Sequence, residues 1–199
     1  MPTRPTPTIH PLWMRLTHWL NAIAVLIMIG SGWRIYNASP IFFFSIPASI
    51  TMGGWLGGAL QWHFAAMWLL VLNGLLYLVL CVLTGRFRNK LLPFSPAAFI
   101  ADARSALAGK LAHADLSHYN AVQKLAYLAI IADLVVLVLS GLAIWKSVQF
   151  PLLRTLMGGY DTARVVHFLA MAFAVAFIAI HLVMVALVPR TLVAMVRGR

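Results

Sequence analysis

Residues 163–188, ARVVHFLAMAFAVAFIAIHLVMVALV, decide the fold. Arg164 and two histidines are the only polar side chains in the run. About 20 apolar residues in a helix cross a hydrocarbon layer of about 30 Å, so the stretch reads as a membrane span. His167 and His181 are 14 residues apart. At about 3.6 residues per turn that is almost four turns, so both rings leave one helix face, roughly 21 Å apart along the axis.

Three more runs of this kind lie at 16–36, 59–83 and 122–145. Together the four spans predict an all-α membrane protein, a four-helix bundle formed by one domain over 1–199. The composition agrees: 62% of residues are hydrophobic, 10% are charged and the mean hydropathy is +0.90, whereas soluble domains carry about 25% charged residues. The connection 37–58 contains Pro40, Pro47 and two glycine pairs. Its apolar cluster, Ile41 to Phe44, is too short to span and predicts an interfacial or re-entrant cap. The connection 85–120 is polar and basic, and 95–111 predicts a surface helix with Ser95 as N-cap before Pro96. No internal repeat and no soluble domain are evident.

Fifteen Lys and Arg stand against four acidic residues, a net charge of +11. The cations lie beside apolar runs, in no basic helix or aromatic-studded groove, so nucleic acid is not the expected partner. They follow the positive-inside rule instead. With the N-terminus in the cytoplasm, Arg4, Arg15, Arg86, Arg88, Lys90, Arg104, Lys110, Lys124, Arg190, Arg197 and Arg199 share one side, and Arg34, Lys146, Arg154 and Arg164 the other. Eleven against four places both termini in the cytoplasm of a chain whose spans contact membrane lipid. No cleavable signal peptide is expected, because the start at Pro2 to Thr8 runs into an apolar stretch too long for one. Cys81 is the lone cysteine, which excludes a disulfide framework and covalent haem attachment.

Of seven histidines, His18, His63, His167 and His181 fall within or at the ends of spans, where ionisable groups mark functional sites. One such histidine alone could serve an interhelical hydrogen bond. Four can be matched by depth. His18 opens the first span at the inner face, His63 opens the second at the outer face, and the fourth span runs inward with His167 high and His181 low. The levels pair His18 with His181 and His63 with His167, an arrangement that could hold two stacked b-type haems through axial imidazoles. Gly32 and Gly74 share faces with His18 and His63 and would let a porphyrin approach, although glycine also marks close packing in membranes. Arg15 and Arg164 each precede a histidine by three residues and could pair with haem propionates or serve topology and lipid headgroups. His10, His113 and His118 fall in extramembrane segments and are expected to be solvated, with His118 a minor candidate for a haem or quinone contact. Asp133 and Asn73 lie at mid-depth. An ionised carboxylate there costs about 2.5–3.5 kcal/mol, so Asp133 is expected neutral and hydrogen-bonded to Asn73, with a proton relay as the alternative.

His-Pro-Leu-Trp-Met-Arg-Leu-Thr-His-Trp-Leu-Asn at 10–21, Tyr-Asn-Ala-Val-Gln-Lys at 119–124 and the His167/His181 pair resemble the bacterial cytochrome b561 and nickel-iron hydrogenase cytochrome b group. The resemblance covers nearly the whole chain and is nearest to the branch of thiosulfate reductase cytochrome b subunits, often linked to a periplasmic molybdopterin oxidoreductase. It implies two non-covalent haems at these four histidines and electron exchange between the quinone pool and an outside partner. The connection 37–58 is longer than in the shortest single-component members and offers a docking surface. Two other readings stand beside this one: a stand-alone quinone oxidoreductase of the same fold, and a haem-free transporter whose histidines bind metal or relay protons. A cysteine introduced by Thr51→Cys should react with an impermeant thiol reagent from outside intact cells. Labelling only after the membrane is permeabilised would reverse the topology.

Overall fold

The computed structural model describes residues 9–92, 95–107 and 120–198. At membrane depth the backbone has no solvent to bond with, so each apolar run closes into a helix. The α-helices among the described residues are α1 (Leu12–Ala38), α2 (Leu56–Leu83), α3 (Pro96–Leu107), α4 (Ala121–Trp145), α5 (Pro151–Leu156), α6 (Tyr160–Leu187) and α7 (Arg190–Arg197). Helices α1, α2, α4 and α6 have 27, 28, 25 and 28 residues and are long and apolar enough to span. They start earlier than the apolar runs suggest, because at 1.5 Å per residue about 40 Å of helix continues through the headgroup region.

Helix α1 packs along α2, and α4 along α6. The buried positions are mainly small: Ala24, Gly30 and Ser31 on α1, Ala59 and Ala66 on α2, Ala143 on α4, and Ala163, Ala170 and Ala174 on α6. Small side chains let helix backbones approach where lipid removes the hydrophobic drive for association. Large side chains such as Leu26, Leu72, Val79, Ile180 and Val183 point outward.

Local signals set the helix ends. Asn120 caps α4: its side chain accepts from the Gln123 amide at 2.7 Å, and the Gln123 side chain accepts from the Asn120 amide at 3.1 Å. This reciprocal capping box satisfies two helix-end donors. Asp102 of α3 accepts from the Ala121 amide at 2.7 Å, tying the surface helix to the start of α4. Ser95 caps α3 as expected, accepting from the Ala98 amide at 3.4 Å. The expected helix end at 108–111 and His113, His118 and Tyr119 lie outside the described residues. Two short helices were not anticipated: α5, opened by Pro151 in the loop before α6, and α7 at the end of the chain.

The connection 37–58 forms a cap tucked against α1. Asn37 exchanges two 2.8 Å hydrogen bonds with the Ile46 backbone, and Tyr36 donates to the Phe44 carbonyl at 2.9 Å. Tyr36, Phe42 and Phe44 all contact Phe168 of α6. The Met52 amide reaches the Gly30 carbonyl at 2.9 Å, eight residues or about 12 Å of helix below the end of α1. The cap therefore descends along α1, in keeping with a re-entrant element.

At the other end the chain closes on itself. The Ile9 amide donates to the Gly198 carbonyl at 2.9 Å, and Gly198 ends α7 in the left-handed region, at φ 85°. Both ends of the described chain thus lie at one end of the bundle, called the inner end below from the charge bias.

The Asp133–Asn73 hydrogen bond does not form. Asn73 donates instead to the Thr17 carbonyl at 2.8 Å and to the Asn21 side chain at 2.7 Å, both on α1. Similar depth brought the two residues together on paper, but α2 turns this face to α1, and Asp133 Oδ2 has no partner among the described residues. Asn73→Ala should therefore cost about 0.5–2 kcal/mol, read as earlier thermal unfolding in detergent. Asp133→Asn, which touches neither bond, should leave the transition where it is.

Candidate functional site

The four span histidines meet two by two, as the depth argument pairs them. The rings of His63 and His167 have centroids 6.4 Å apart, and those of His18 and His181 6.3 Å apart. With metal–imidazole bonds of about 2 Å, two rings on opposite sides of one metal have centroids roughly 6.4 Å apart. Both pairs have a separation that would allow a shared iron. Among the described residues, no three His, Cys, Asp or Glu side chains gather at one point. A bare metal ion wants about four protein ligands, whereas a haem brings its own four nitrogens and needs only the axial two.

The outer pair is held by serines. His63 Nδ1 is 3.1 Å from Ser31 Oγ of α1, and His167 Nδ1 is 3.0 Å from Ser140 Oγ of α4. A glycine follows each serine. A Cβ on Gly32 would meet His63 Cε1 at 3.5 Å, and one on Gly141 would meet His167 Cε1 at 3.3 Å. The same Ser-Gly step thus serves both outer rings from two different helices. Gly32 belongs to the outer level, as its spacing predicts, though its immediate neighbour is an imidazole. Gly74 faces open space, room that a flat group could fill. Ser31, Ser140 and Gly141 escaped the sequence reading; the repeated Ser-Gly in two spans was the available signal.

The inner pair differs. His18 Nδ1, His10 Nδ1 and Arg15 Nε are buried without a hydrogen-bond partner among the described residues. His10, expected to be solvated, is only 9% exposed, because the end of α7 at Gly198 closes over this segment. Unmet nitrogens clustered beside His18 and His181 suit the carboxylates and ring edge of a porphyrin.

Arg15 and Arg164 have protein partners. Arg15 donates to the Val196 carbonyl at 2.6 Å, in the last turn of α7. Arg164 donates to the Ser39 carbonyl and, at 3.2 Å, to the Ser39 hydroxyl, at the end of α1. Each guanidinium fills carbonyls that a helix end leaves open, and further donors remain in each fork for an anion.

The model of the prokaryotic cytochrome b561 family matches residues 9–198. The chain belongs to that family. A protein of Azospira oryzae that bears the name protein-methionine-sulfoxide reductase subunit YedZ1 is 64% identical over 190 residues, 96% of each chain. No solved structure matches. The family and the four apolar helices make the chain a multi-pass inner-membrane cytochrome b, a haem protein of electron transport. The paired imidazoles, the open face at Gly74 and the unmet inner nitrogens fit b-type haem.

His10, outside the spans, is pushed below the usual histidine range, first by burial and then by Arg86, His18 and Arg15 nearby. Its neutral form is favoured in the fold, so the unfolded chain binds the extra proton and stability falls as pH drops below about 6.5. Hydrogen exchange at the Ile9 amide, corrected for intrinsic rate, should accelerate between pH 7.5 and 5. His10→Gln should flatten that dependence.

Proposed function

We propose that this cytochrome b is the di-haem membrane subunit of a respiratory oxidoreductase, carrying electrons from the quinone pool to a redox subunit on the outer face. The reading rests on one observation: two imidazole pairs at 6.3 and 6.4 Å, on levels roughly 21 Å apart along α6. His18 and His181 hold the inner haem, and His63 and His167 the outer one. Arg15 and Arg164 turn their remaining donors to propionates, and Gly32 and Gly74 leave room for the rings. The haems supply one-electron carriers, and the protein supplies their spacing, burial and ligation.

The word subunit in the relative's name favours a partnered role over a self-contained quinone oxidoreductase. The substrate in that name favours protein-bound methionine sulfoxide, rather than thiosulfate, as the terminal acceptor. The balance is simple: a quinol yields two electrons and two protons, and the sulfoxide takes up two of each to give a thioether and water. A molybdopterin-type subunit docked on the 37–58 cap is the partner this chemistry suits.

The purified protein should yield about two haems per chain, extractable by acid acetone, with a reduced b-type spectrum. His18→Ala and His181→Ala should each remove one and the same component in redox titration, and His63→Ala and His167→Ala the other. One haem per chain, or loss of a single component in both His18→Ala and His63→Ala, would overturn the two-level assignment.

A further inference from the structure

Ser31 and Ser140 are fully buried, at 0% exposure, and each is already satisfied within its own helix. Ser31 Oγ donates to the Ile27 carbonyl at 2.7 Å, with the Met28 carbonyl at 3.3 Å. Ser140 Oγ donates to the Val136 carbonyl at 2.6 Å, with the Leu137 carbonyl at 3.2 Å. A hydroxyl has one proton and two lone pairs. With the proton committed to a carbonyl four residues back, the oxygen can only accept from the imidazole. In both rings, therefore, Nδ1 carries the hydrogen and Nε2 keeps its lone pair free.

We propose that Ser31 and Ser140 are positioning residues that lock His63 and His167 in the Nδ1–H tautomer and hold the outer haem at a lower potential than its ligation alone would set. The proposal rests on the assignment of His63 and His167 as axial ligands. Burial does not require these hydrogen bonds, since a serine in a membrane helix is content with its own carbonyl. Yet two helices without a detectable repeat present the same hydroxyl, followed by the same glycine, to two histidines at one level. The inner level has no equivalent: His18 Nδ1 meets no partner among the described residues. An acceptor on the far nitrogen orients a ligating imidazole and raises its basicity. A more basic ligand stabilises ferric over ferrous iron, so the two haems are tuned separately.

The test uses the full-length, haem-loaded protein, with His63→Ala identifying the outer component. Ser31→Ala and Ser140→Ala should each raise the midpoint of that component and leave the inner one unmoved. A tenfold change in the ferric-to-ferrous binding ratio corresponds to about 59 mV for one electron. The low-spin ferric resonance signal of the outer haem should change as ring orientation relaxes. Ser31→Thr and Ser140→Thr keep the hydroxyl and should return the midpoint towards that of the parent. Loss of the outer haem in the alanine variants with retention in the threonine variants also supports the proposal. Unchanged midpoints in alanine variants with both haems, equal shifts in both components, or loss of the outer haem in alanine and threonine variants alike would overturn it. Failure of the axial assignment would show separately, as different components lost in His63→Ala and His167→Ala.

Discussion

An imidazole at membrane depth must find a polar or metallic partner, because hydrocarbon offers none and the cost of leaving it alone is large. This requirement governs how the four spans sit against one another. Helix α6 carries two such rings on one face, almost four turns apart, and so must present that face to partners at two depths. Helix α1 supplies one partner, His18, near its start, and α2 supplies the other, His63, near its own. Helix α1 packs along α2 and α4 along α6, and the two ring pairs bridge these helix pairs. The same requirement explains the serines, which occupy the far side of the outer rings.

Packing in this bundle is permissive, whereas polar contacts are specific. Alanine, glycine and serine at the helix contacts allow close approach without dictating rotation, since lipid-facing leucines and buried alanines are equally apolar. Orientation comes from a few hydrogen bonds. Asn73 ties α2 to α1 through the Thr17 carbonyl and Asn21, and Ser140 ties α4 to α6 through His167. Arg164 joins the start of α6 to the end of α1. At the inner end Arg15, Val196, Ile9 and Gly198 draw the two ends of the described chain together. The two arginines, each three residues before a ligand candidate, fasten the helix segments on which His18 and His167 stand.

The two ends of the bundle are built differently. The outer end has hydroxyls already bonded to its imidazoles and an aromatic lid of Tyr36, Phe42, Phe44 and Phe168 above them. The inner end has unmet nitrogens on His10, Arg15 and His18 and a cationic surround. A cofactor at the outer level meets a preformed, apolar and hydrogen-bonded cradle. One at the inner level completes the hydrogen bonding of the protein itself. On the proposed di-haem reading, such asymmetry would give two chemically identical groups different surroundings, which an electron path across a membrane can use.

What could be read from the residues alone were properties that run along the chain. The lengths of the apolar runs specified four spans, the spacing of His167 and His181 put them on one face, and the alternation of span direction matched the histidines by depth. The Ser95 cap was equally local. What only the tertiary structure decided was sideways: which face of each helix looks inward. Hydrocarbon on one side and apolar neighbours on the other leave no amphipathic stripe to read. Asn73 was therefore paired with Asp133 by depth although it faces α1, Ser31 and Ser140 passed as ordinary small residues, and the arginines showed their helix-end targets only once the chain had closed. Depth is written in the order of residues, but rotation about a helix axis is settled by contacts between residues far apart in that order.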